Sequence, residues 1–279
     1  MKNIKQKIKI FIKGFAMGTV DIIPGISGGT MALILGIYQK IIDELKMISF
    51  KNIKKINYGF LIPLFLGIII AIISLARIIH YLLENHSIYL YSFFFGLIIA
   101  SIFIILPKNF YKNKKFLFVI LGFLIAWFIS GSASINTANN YLNIFLSGAI
   151  AICAMILPGI SGSFILLILG KYEFMISVLK NPFVNNNLIY IIVFVAGCII
   201  GLLSFVRLLS YTFKKYYNIS LAILIGFMAG ALRKVWPFEN VIRNKNFDIY
   251  FYLSILMLII GILTGILITK IGKQKKNRN

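Results

Sequence analysis

Acid is what this sequence has least of. Seven Asp and Glu stand against 29 Lys and Arg in 279 residues, and only 13% of positions are charged. A soluble domain carries about a quarter charged residues, so a soluble globular enzyme is excluded. Histidine and cysteine are as scarce, with two of each. His80 and His86 have no ligand-spaced partners, and Cys153 and Cys198 sit inside apolar runs. No metal site, cofactor or disulfide framework is therefore expected. Phosphate-binding P-loops, HExxH motifs and a credible Ser-His-Asp set are missing too, so no enzyme is expected.

What remains is apolar: 60% of the residues are hydrophobic, too many for a disordered chain. The chain reads as an all-α integral membrane protein. Its net charge of +22 would suggest nucleic acid on a soluble protein. Here the basic residues lie mostly between apolar runs, where they set orientation and meet anionic lipids, and no nucleic-acid partner is expected. Five lysines in the first twenty residues precede no compact apolar stretch with a small-residue cleavage site, so the start reads as mature protein.

A span needs roughly 20 helical residues. Six segments qualify, at 60–83, 88–106, 116–131, 188–213, 218–236 and 249–269, the third being short. Two more apolar stretches are interrupted: 10–42 at Pro24-Gly25-Ile26-Ser27-Gly28-Gly29, and 142–180 at Pro158-Gly159-Ile160-Ser161-Gly162-Ser163. Each arm beside a break has about a dozen residues, or ~18–20 Å of helix, enough to reach mid-membrane and return.

Charge chooses between crossing and returning. If both are re-entrant hairpins and the N-terminus is cytoplasmic, the inside segments 1–13, 43–58, 107–115, 214–217 and 270–279 are all basic. Both termini then face the cytoplasm. The outside loops 84–87 and 131–141 carry no Lys or Arg. Segment 233–248 is the exception, with Arg233, Lys234, Arg243 and Lys245 placed outside. The positive-inside rule favours hairpins.

The chain also repeats itself. Residues 22–38 and 156–172 share eleven of seventeen identities at an offset of 134. At an offset of 130, Gly67, Ser74, Arg77, Tyr81, Gly96 and Pro107 match Gly197, Ser204, Arg207, Tyr211, Gly226 and Pro237. Residues 1–135 and 136–279 thus form two units of one membrane domain, each a hairpin plus three spans. Three is odd, so the second unit enters from the opposite face. Inverted repeats around a midplane site are a recurring plan for alternating access.

At the breaks, Pro24, Gly25, Pro158 and Gly159 halt the first arms, and Ser27 or Ser161 is placed to cap the second. The N–H groups of the following turn, from Gly28, Gly29 and Thr30 and from Gly162 and Ser163, are read as an anion site facing a cavity. Arg77 and Arg207 lie about seven residues from a span end. Intramembrane arginine is expensive, and a guanidinium fork suits phosphate, so both join the site. Asp21 is the one acid well inside an apolar stretch, and its repeat partner is Met155. It reads as a proton-coupling carboxylate, as a clamp orienting an arginine, or as one satisfied by backbone N–H groups or Thr19. Lys171 and Glu173 are expected at headgroup level. The pairs Gly197/Gly201, Gly226/Gly230 and Gly261/Gly265 read as close helix packing.

From the residues alone, then, an inverted-repeat transporter with a mid-membrane anion site is expected, a site that a small soluble anion would also fit. The sequence FAMGTVDIIPGISGGTMALILGIY, echoed by LPGISGSFILLILGKY, resembles the bacterial polyprenyl-phosphate (undecaprenyl-phosphate) transporters. The resemblance covers nearly the whole chain. It implies translocation of the lipid carrier phosphate from the outer to the inner leaflet of the cytoplasmic membrane, returning the carrier for cell-envelope polymer synthesis. The partners it implies are the polyprenyl-phosphate lipid and anionic membrane lipids, with self-association left open. Ser163 and Phe164 replace Gly29 and Thr30 in the second copy, so the two tips are not strictly alike.

Overall fold

A computed structural model of the chain describes residues 2–48, 55–106, 116–135, 137–184, 186–239 and 249–276. All regular structure among them is helical: α1 Lys2–Asp21, α2 Gly28–Ile34, α3 Tyr38–Lys46, α4 Tyr58–Asn85, α5 Ser87–Ile105, α6 Phe116–Ser130, α7 Tyr141–Ile156, α8 Gly162–Ile168, α9 Tyr172–Lys180, α10 Asn187–Lys215, α11 Tyr217–Ala231 and α12 Ile249–Lys276. Of these, α4, α5, α10 and α12 are long and apolar enough to cross a membrane, or five if α8 and α9 count as one bent span. The expected spans 116–131 and 218–236 fall short of that length among the described residues: α6 and α11 have 15 residues each, or ~22 Å of helix. In α11 the helix stops at Ala231, ahead of Arg233, Lys234 and Pro237, where 218–236 was expected to continue.

Both breaks form by local chemistry. Pro24-Gly25 and Pro158-Gly159 are the central pairs of turns closed by Ile26 N–H to Ile23 O (3.2 Å) and Ile160 N–H to Leu157 O (3.4 Å). The glycines take φ +89° and +90°, the left-handed value that a Pro-Gly turn requires at its third position. A second feature lies within what the sequence presented as one returning arm. Gly36 and Gly170 also have positive φ, 67° and 64°. The bonds Gly36 N–H to Leu33 O and Ile37 N–H to Ala32 O form a Schellman end, repeated by Gly170 to Leu167 and Lys171 to Leu166. The arms 30–42 and 164–178 are thus each two short helices, the second pair bent by 109°.

Glycine decides which helices pair. A Cβ on Gly14 would collide with the Leu64 carbonyl, one on Gly18 with that of Ile68, and one on Gly67 with that of Phe11. Contact positions on α1 and α4 advance together, so the two helices run parallel and the chain between them turns back. In α7 and α10 the same contacts recur, Gly148 against Phe194 and Gly197 against Phe145, at the sequence offsets of 134 and 130. Gly96 and Gly261 lock α5 onto α12, while Gly122 and Gly226 lock α6 onto α11. Without a hydrophobic drive in lipid, this backbone approach is what holds helices together.

The core gathers on α5 and α11, with Leu97, Ile98, Leu224 and Ile225 nearly inaccessible. The outer faces of α4 and α10 remain apolar and open, as at Ile69, Ile73, Ile192 and Ile199, which suits lipid. Ser74 and Ser204 return their hydroxyls to the carbonyls four residues back, of Ile70 and Ile200, both at 2.6 Å. Such internal satisfaction is what a waterless surrounding demands.

Candidate functional site

The two breaks, 134 residues apart, lie against each other. Ser27 Oγ donates to the Leu157 carbonyl at 3.2 Å, and Gly159 N–H donates to Thr30 Oγ1 at 2.8 Å. A Cβ on Gly29 would fall 2.6 Å from the Ile156 carbonyl oxygen, so only glycine lets the loops approach this closely. Ser27 and Thr30 are each 2% exposed. The space between the loops, lined by Gly25, Thr30, Gly159 and Met228 among others, admits no water-sized sphere. In this conformation the tips close on each other, and the open space lies beside them as a cleft of 710 Å³.

Capping differs from expectation. Ser27 and Ser161 do occupy N-cap positions with extended backbone, but neither side chain accepts a backbone N–H of its own helix. Ser27 is drawn across to Leu157, and Ser161 Oγ pairs with Ser163 Oγ at 2.8 Å. Asp21 caps α2 instead: its Oδ1 accepts the Gly28 N–H at 2.6 Å. This is the backbone-satisfied alternative for that carboxylate. Thr19 is not its partner, since its hydroxyl goes to Phe15 O at 2.9 Å. At the matching position of the second half, Met155 is 46% exposed, so α8 begins without a carboxylate there. A carboxyl at one tip and not the other makes the pair chemically unequal.

Arg77 and Arg207 are exposed on α4 and α10. No hydrogen bond among the described residues joins either to a break loop. His80 faces Glu84 at 3.2 Å, one turn along α4.

Lys171, expected at headgroup level, is enclosed by the fold. It is 0% exposed, and its Nζ donates to Thr137 O, to Ala138 O at 2.9 Å and to Asn139 Oδ1 at 2.7 Å. Residues 135 and 137–139 lie along the α8–α9 elbow, with Ile135 N–H on Ile168 O at 2.6 Å and Thr137 Oγ1 on Leu169 O at 3.0 Å. The ammonium is a structural clamp there. A lysine directly after the left-handed Gly170 was the available signal, but burial by a loop 32 to 34 residues upstream was not.

A family profile described as undecaprenyl phosphate translocase-like matches residues 17–250. A protein of Vibrio cholerae serotype O1 named polyprenyl-phosphate transporter is 40% identical over 248 residues, covering 84% of this chain and 79% of its own. A Staphylococcus aureus protein of the same name is 32% identical over 284 aligned positions, covering 95% of this chain and 97% of its own. No solved structure matches the chain.

Proposed function

Since the chain belongs to the undecaprenyl phosphate translocase-like family, whose curated relatives are transporters and not enzymes, we propose that it carries polyprenyl phosphate from the outer to the inner leaflet of the bacterial cytoplasmic membrane. The carrier lipid is thereby returned for cell-envelope polymer synthesis. The protein is a multi-pass membrane protein with both termini cytoplasmic, built as an inverted repeat of 1–135 and 136–279.

Parallel packing of α1 on α4 and of α7 on α10 supports re-entrant hairpins. Had either broken segment crossed the membrane, the next helix would run back antiparallel. The α1 end lies near residue 74 of α4 by register, ~24 Å along a helix of ~42 Å, which supports a tip at mid-membrane. The exchange of partners, α5 with α12 and α11 with α6, supports one interlocked domain.

The observation that carries the reading is the hydrogen-bonded meeting of the two breaks. Elements from both halves converge where their backbone is not helical, and such backbone at depth belongs at a transport site. When the loops part, the N–H groups of Gly28, Gly29, Gly162 and Ser163, the hydroxyls of Ser27, Thr30 and Ser161, and the guanidinium groups of Arg77 and Arg207 hold the phosphate. Pro24, Gly25, Pro158 and Gly159 keep the breaks in shape. Asp21 couples proton movement to that parting, because protonation removes the charge that strengthens its hold on Gly28. The apolar outer faces of α4 and α10 leave the prenyl tail in lipid.

Uptake of labelled C55 phosphate into proteoliposomes tests this, with wild type beside Arg77→Ala/Arg207→Ala. Transport by wild type and its loss in the double variant is expected. Equal transport by both would sink the arginine site, and no transport by wild type would sink the substrate.

A further inference from the structure

Where α6 and α11 end, the chain keeps an open cleft whose chemistry nothing above uses. Beyond Ala231 the backbone makes two tight turns, Lys234 N–H to Ala231 O at 2.9 Å and Val235 N–H to Leu232 O at 3.2 Å. They bury Val235 to 1% exposure and leave Arg233, Lys234 and Trp236 exposed. All three line the 710 Å³ cleft. The Arg233 guanidinium lies 4.8 Å from the Trp127 ring centroid and donates through Nη1 to the Trp127 carbonyl at 3.1 Å. A guanidinium has five N–H donors, so most remain for a ligand. Lys234 reaches both breaks: its Cγ lies 2.9 Å from where a Cβ on Gly25 would sit, and its Nζ is 4.5 Å from the Phe164 ring centroid.

Three facts say what this cleft takes. Among the described residues no carboxylate forms an ion pair with either cation, and Glu239 is the one acid on the lining. The cations are not part of the repeated scaffold, because the positions 130 residues earlier are Phe103 and Ile104. Nor do they serve orientation, since the charge pattern places this segment on the outer side against the positive-inside rule. A forked guanidinium beside an ammonium suits a phosphomonoester dianion. The walls supply an apolar side: Trp236 packs edge-on to Phe95 at 5.2 Å, and Trp127 stacks on Phe123 at 5.4 Å.

We propose that Arg233 and Lys234 form a docking site for the phosphate headgroup of a prenyl phosphomonoester, which passes from this cleft to the break loops that Lys234 touches. The proposal rests on the transport reading above and adds the group that first engages the headgroup.

Both tryptophans of the chain line the cleft, so intrinsic fluorescence reads it directly. Purified full-length protein in detergent is titrated with farnesyl phosphate, farnesol and inorganic phosphate. A saturable change with farnesyl phosphate, weaker with inorganic phosphate and missing with farnesol, is expected. Saturation by inorganic phosphate with no gain from the prenyl chain would assign a free-anion site and overturn the lipid; no response to either phosphate would overturn the site.

Lys234→Gln should weaken farnesyl phosphate binding about tenfold, as loss of one charge-assisted contact does. Gly131→Ala keeps every charge, but its Cβ would overlap Arg233 Nη1, a flexible side-chain end that can move; a similar weakening is expected. Unchanged affinity in both, in monodisperse protein, would leave Arg233 as merely a cap on α6 and overturn the proposal. Parallel C55 phosphate transport separates the two ideas. Wild type and Lys234→Gln transporting equally well would overturn the cleft and leave the transport reading standing. Fluorescence binding without any wild-type transport would do the reverse.

Discussion

Thr30 accepts the Gly159 N–H at 2.8 Å, so a side chain of the first break holds the backbone of the second. Thr30 is 2% exposed, and Thr30→Val keeps its shape while removing the acceptor. A donor left without a partner costs about 1–3 kcal/mol. Thermal unfolding in detergent should show Thr30→Val less stable than wild type by that order, and equal stability would mean that the contact is dispensable.

Asp21 separates capping from coupling. In Asp21→Asn the amide oxygen can still accept from Gly28 N–H, so the fold should hold; Asp21→Ala loses the cap and about 0.5–2 kcal/mol. If the carboxylate couples protons, transport by Asp21→Asn becomes indifferent to an imposed pH gradient that drives wild type. A wild type already indifferent to the gradient would remove the coupling role.

Gly67 and Gly197 test the helix pairing. A methyl on either meets a backbone carbonyl, of Phe11 or of Phe145, and backbone cannot step aside. Gly67→Ala and Gly197→Ala should each lower the yield of monodisperse protein and its melting temperature. Gly59→Ala, whose Cβ meets only the Asn57 side chain within 4 Å, should do neither.

Lys171→Met tests the clamp on the α8–α9 elbow. It leaves Thr137 O, Ala138 O and Asn139 Oδ1 without their donor. The expected outcome is faster proteolysis within 131–140 and a loss of stability of about 1–3 kcal/mol. Wild-type resistance to protease would show that the loop is held by its bonds to Ile168 and Leu169 alone.

The breaks were legible because their chemistry is local. A Pro-Gly pair sets its own turn, and a second copy at an offset of 134 made chance an inadequate account. The elbows at Gly36 and Gly170 lay in the same repeated block, yet glycine after an apolar run has many uses, and the Schellman bonds that single one out appear only with the backbone in place. Asp21 was recognised as an isolated acid. Which donor it takes depends on where the turn delivers Gly28.

By itself the sequence determined the membrane class, the two breaks, the duplication and the small-residue seams, since each follows from composition or from neighbours within a few turns. The tertiary structure alone decided which seam meets which. Gly226 and Gly261 announce close packing whatever the partner, and only the fold gives them Val119 and Phe93. Those pairings bring Ser27 to Leu157 and Lys234 to Gly25. Contacts between residues 130 and 209 positions apart leave no local periodicity, because they arise from how rigid helices share a small volume.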